Sequence, residues 1–215
     1  INMRGGIPCF TPETTPYGAD PHRDLDNDGT EDECQLVGNG SRCDEFKQLC
    51  TLPFQERQTN PIVWYYTEGS DMGYFDATRD ATSQWDAAMR VAVQTARYAE
   101  CKRVGKQTCD QEFPMYPGQQ DMNEDVINLT AEVNACREGR AYTELGTDPQ
   151  RCDAVADEVA AKRGYHPAVV AIAKQRPMVV LCNSPVQADD PVECGEQRLR
   201  PGLTAKQCAE VFADP

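Results

Sequence analysis

Histidine is nearly missing from this chain. His22 and His166 are the only two, neither belongs to an H-E-x-x-H motif, and they make no closely spaced pair. A zinc centre needs three or four nitrogen, sulfur or oxygen ligands, which two isolated histidines do not supply. His22 adjoins an acidic run and reads as a surface residue; His166 precedes Pro167 and reads as a helix cap. Also missing are G-x-S-x-G, a phosphate-binding glycine loop and C-x-x-C, so serine hydrolases, P-loop enzymes and thioredoxin-like redox proteins lose their sequence signatures. Carboxylates are numerous enough for a glycosidase pair, but no spacing singles one out. No catalytic residue is assigned.

Basic residues are scarce relative to acidic ones. Against 35 Asp and Glu there are 21 Lys and Arg, a net charge of −14. Such a chain is repelled by nucleic-acid phosphates and anionic lipid, and no Lys/Arg cluster reverses this locally; nucleic acid is excluded as a partner. Long apolar runs are lacking too. Ala168–Ala173 is the longest apolar-rich stretch, far below the roughly 20 residues of a membrane-spanning helix. The opening Ile1-Asn2-Met3-Arg4-Gly5-Gly6 has no apolar segment of the signal-peptide kind, which fits a mature form or an internal piece of an exported protein.

Cysteine, by contrast, is abundant: Cys9, Cys34, Cys43, Cys50, Cys101, Cys109, Cys136, Cys152, Cys182, Cys194 and Cys208. They are dispersed rather than clustered, a pattern suited to disulfides in an oxidising compartment, extracellular or at a cell surface. Expected local staples are Cys136–Cys152 across a helical hairpin, Cys101–Cys109 and Cys182–Cys194, with Cys9, Cys34, Cys43 and Cys50 serving the N-terminal part. Each such short loop contributes about 2–3 kcal/mol when closed. Eleven is odd, which leaves Cys208. It is either a free buried thiol or bonded to a partner beyond residue 215 or in another chain, the second reading being preferred.

Composition changes near residue 58. Residues 1–57, rich in Pro, Gly, Asp and Cys with little apolar periodicity, read as a loop-rich module. Residues 58–215 read as a helix-rich domain. Ile62–Tyr66 is expected to be a buried strand. A helix follows from Phe75 to about Lys102, whose Ala77, Ala81, Trp85, Ala88, Met89, Ala92, Val93 and Ala96 are expected to face the core. Trp64, Tyr65, Tyr66, Tyr74 and Phe75 are read as core rather than as an exposed platform for sugar or protein. Further helices are expected over 122–137, with Met122, Val126, Leu129, Val133 and Cys136 inward; over 149–163, capped by Asp148; over 167–174; and over 204–212. Met178–Cys182 is expected to be a second buried strand. The class is α+β, mainly helical, with a small sheet.

The strongest motif is Asp24-Leu25-Asp26-Asn27-Asp28-Gly29-Thr30-Glu31-Asp32-Glu33-Cys34. Asp stands at loop positions 1, 3, 5 and 9, and Gly at position 6. Calcium takes six to eight oxygens, and alternate carboxylates on a sharply turned loop supply them. Four carboxylates so close repel one another without a cation. Position 12, a bidentate Glu in helix-loop-helix calcium hands, is Gln35, which argues against such a hand.

The pattern D-x-D-x-D-G-x-x-D-x-C resembles the thrombospondin type 3 repeat, an extracellular calcium module with disulfide-tied loops. That resemblance implies Ca2+ ligands at Asp24, Asp26, Asp28, the Thr30 carbonyl and Asp32, with Cys34 in a structural bridge. A second, partial resemblance joins P-I-V-W-Y-Y and A-T-S-Q-W-D-A-A-M (61–93), and P-M-V-V-L-C-N-S-P-V with C-G (178–194), to the N-terminal part of secreted bacterial metzincin-type zinc proteases. The zinc helix of that family is absent, so none of its catalytic residues carries over. The expectation is a non-catalytic, calcium-binding structural or interaction module of a larger bacterial extracellular protein, with other protein chains or downstream domains as partners. The alternatives are the N-terminal segment of a secreted zinc protease and a carbohydrate-binding protein.

Overall fold

A computed structural model describes residues 3–9, 23–37, 42–44, 46–67, 69–116, 121–139, 145, 151–187 and 190–196. In chain order its elements are β1 (Met3–Pro8), α1 (Asp32–Val37), β2 (Cys43–Asp44), β3 (Leu49–Thr51), β4 (Ile62–Tyr66), α2 (Phe75–Arg103), α3 (Cys109–Glu112), α4 (Asp121–Arg137), α5 (Cys152–Arg163), α6 (Pro167–Ala173), β5 (Val179–Asn183) and α7 (Val192–Glu196). The fold is α+β and mainly helical, with two small sheets rather than one. Residues group into two compact units, Ile1–Thr59 with Val93–Met115, and Asn60–Ala92 with Tyr116–Pro215. The expected helix over 204–212, the Asp148 cap and Cys208 lie outside the described residues.

The first unit has an antiparallel sheet in the order β1-β3-β2, with Cys43 opposite Cys50. Among the described residues its buried apolar cluster consists of four cysteines, Cys9, Cys34, Cys43 and Cys50, joined as Cys9–Cys43 and Cys34–Cys50. Cystine here takes the place that Leu or Val fills in a larger core. The loops closed span 34 and 16 residues, worth about 4 and 3 kcal/mol by chain entropy. The last turns of α2 grip the segment after β3. Glu100 accepts the amides of Phe54 and Gln55 at 2.8 and 2.7 Å, capping the 3-10 turn Phe54–Glu56, and Arg97 donates to the Arg57 carbonyl at 2.7 Å. Cys101–Cys109 closes the turn into α3.

In the second unit, α4, α5 and α6 build the core from Val126, Leu129, Val133, Ala156, Val159, Val169 and Ile172, with Ala87 of α2 and the Cys136–Cys152 bridge. Val126, Leu129, Val133 and Cys136 are buried as their spacing predicts. Gly164 ends α5 at φ 72°, and His166 caps α6, its Nδ1 accepting the Ala168 amide at 3.1 Å. Strand β5 pairs in parallel with β4, Ile62 opposite Val179 and Tyr66 opposite Asn183. Cys182–Cys194 fastens α7 to it.

Two expectations fail in an instructive way. Helix α2 has the expected span but the opposite face is buried. Thr82, Asp86, Ala87, Arg90 and Gln94 point inward, while Ala77, Ala81, Trp85, Ala88, Ala92 and Ala96 are exposed. The cause is the demand of β5 for an acceptor. Asp86 Oδ1 takes the Met178 and Val179 amides at 2.6 and 3.2 Å. Its Oδ2 takes Arg90 Nη2 at 2.6 Å and Asn134 Nδ2 at 2.9 Å. Arg90 also donates to the carbonyls of Ala173 and Gln175 and to Asn134. Asp86 and Arg90 are fully buried. Burial pulls the Arg90 guanidinium below its ordinary pKa, and the Asp86 carboxylate opposes that shift. Burying an alanine removes little apolar surface from water, so satisfying these polar groups decides which face turns inward. Strand β4 is the second case. Its residues are exposed or half-buried; β5 covers one edge, and among the described residues no full second layer covers its side chains. Trp64, Tyr65 and Tyr74 are 41, 38 and 67 % exposed; Tyr66 and Phe75 are half-buried and meet edge to face at 5.3 Å.

Candidate metal centre

The acidic loop lies between Arg23 and the start of α1, and its backbone folds around its own carboxylates. Asp24 accepts twice, at Oδ1 from the Asp28 amide (3.0 Å) and at Oδ2 from the Gly29 amide (2.9 Å). Asp28 Oδ1 takes the Thr30 amide at 2.7 Å, and Asp26 Oδ1 lies 3.4 Å from the Asp28 amide. Two left-handed residues reverse the chain, Asn27 at φ 56° and Gly29 at φ 84°. Glycine is favoured at the second, whose φ strains any other residue. Besides the strained φ, a Cβ there would stand 2.4 Å from Nη2 of Arg103.

The result is a convergence of oxygens. Asp24, Asp26 and Asp28 each present a carboxylate oxygen within 4.8 Å of the other two. Oxygens bound to one calcium at roughly 2.3–2.6 Å are at most about 5 Å apart, so this donor set fits a single hard cation. Of the five ligands expected from sequence, these three come together. Asp32 does not join them. It opens α1 and closes the stem of the loop, Oδ2 accepting from Arg23 Nε at 2.8 Å and Oδ1 from the Leu25 amide at 3.1 Å. Thr30 takes part through its amide, bonded to Asp28.

Sequence reasoning missed Glu31. It is buried, and its Oε2 accepts the Cys43 amide at 2.8 Å, which ties the loop to β2. With Asp24, Gly29 and Arg42 it lines an open cavity of about 300 Å³ beside the loop. Nothing in the sequence separates this glutamate from its acidic neighbours, since its role comes from a strand twelve residues away. Cys34, two residues after Asp32, anchors α1 to β3 through Cys50. The sulfurs of Cys9, Cys34 and Cys50 also lie within 4.8 Å of one another, but all are oxidised and offer no thiolate to a metal.

Ten of the eleven cysteines form five disulfides, Cα atoms 5.6–5.8 Å apart, a separation ordinary for such bonds. They include all three local staples expected from sequence. In the second unit, Arg79, Ser83, Asn134, Glu138, Asn183 and Asp190 help to line a cavity of about 40 Å³ beside β5, large enough to hold water. His166 makes an edge-to-face contact with Tyr116 at 5.1 Å in addition to its cap; His22 is outside the described residues. Among the described residues no helix is long and apolar enough to cross a membrane. No protein-family model matches the chain, and neither a curated protein nor a solved structure matches it significantly.

Proposed function

We propose that this chain is a non-catalytic, calcium-binding structural or interaction module that works outside the cytoplasm as part of a larger extracellular assembly. The observation carrying this reading is the approach of the Asp24, Asp26 and Asp28 oxygens to within 4.8 Å around the left-handed Gly29. The ion's role is structural. Among the described residues of the first unit the buried cluster beside the loop is cystine, and a cation bridging three carboxylates would add order to that loop. Five disulfides support the oxidising location. Calorimetric titration of the oxidised, chelator-stripped protein with calcium tests the reading. One site per chain is expected, abolished by Asp26→Asn together with Asp28→Asn. Absence of binding heat and of any competition with a fluorescent chelator would remove it.

A second reading, carbohydrate binding, draws support from the exposed rings of Trp64, Tyr65, Tyr74 and Trp85. It predicts that soluble oligosaccharides shift the emission of Trp64 and Trp85; unchanged spectra across a polysaccharide panel count against it.

A further inference from the structure

We draw no further inference here: the strongest candidate, the exposed Ala77, Ala81, Trp85, Ala88 and Ala92 face of helix α2, is an unpartnered apolar surface, and nothing in the structure shows what covers it.

Discussion

Replacing Asp86 by alanine should come close to unfolding the second unit. Its carboxylate receives four hydrogen bonds, two from the Met178 and Val179 amides and one each from Arg90 and Asn134. Removal leaves the fully buried Arg90 without its counter-charge, a loss of about 3–5 kcal/mol. It also strips the acceptor from two buried amides at the head of β5, each costing about 1–3 kcal/mol if water cannot reach it. These losses overlap, so the expected total is about 4–6 kcal/mol. Domains of this size have stabilities of about 5–15 kcal/mol, so the variant should be marginal. Arg90→Met should cost about 3–5 kcal/mol by leaving the carboxylate uncompensated. The double variant should cost less than the sum by about 2 kcal/mol or more, because no lone charge remains. Trp64 and Trp85 are the only tryptophans and both belong to the second unit, so denaturant titration followed by their fluorescence, with disulfides intact, reads the right unit. A destabilisation under about 1 kcal/mol for Asp86→Ala, or strict additivity in the double variant, would refute the claim that this buried pair sets the face of α2.

Further outcomes follow from the same structure. Gly29→Ala should weaken the proposed calcium binding by about five- to a hundredfold, since a left-handed alanine strains the loop by about 1–3 kcal/mol; adding Arg103→Ala should restore only the steric part, and full recovery would assign the whole effect to crowding. Exchanging Cys34 and Cys50 for alanine should destabilise the first unit by about 3 kcal/mol or more, read as faster hydrogen exchange in β2 and β3; unchanged exchange there would show that the cystine cluster is dispensable. Bonds from Lys102, and then from Tyr98, hold the Asp110 carboxyl below the usual carboxylate range. A depressed carboxylate contributes stability above its unfolded pKa, lost as pH falls through its folded one, so Lys102→Ala should move the Asp110 midpoint upward in an NMR titration; an unmoved midpoint contradicts the pairing.

What the sequence revealed depended on whether a signal was local. The staples Cys101–Cys109, Cys136–Cys152 and Cys182–Cys194, the Gly164 stop and the His166 cap all act within about sixteen residues, and each was legible. The period of α2 was legible as well, but its phase was not. Six exposed alanine or tryptophan positions outweighed Asp86 and Arg90 in a reading based on apolarity, although the acceptor that β5 needs lies 92 residues back in the chain. Asp32 shows the same limit within the loop. Its spacing marks it as a ligand, whereas its bonds to Arg23 and the Leu25 amide make it the clasp of the stem. The sheet β1-β3-β2 gave little warning because two of its strands have only two and three residues, too short for alternation to register.

The proposed ordering of the acidic loop by a bound divalent ion is tested most directly by hydrogen exchange at the amides of Asp28, Gly29 and Thr30, in calcium and in chelator, with the disulfides oxidised. Exchange should slow at least about tenfold when calcium is present, because a filled centre fixes the carboxylates to which those amides bond. Equal exchange in the two buffers would contradict the account and leave the loop a turn held by its own backbone.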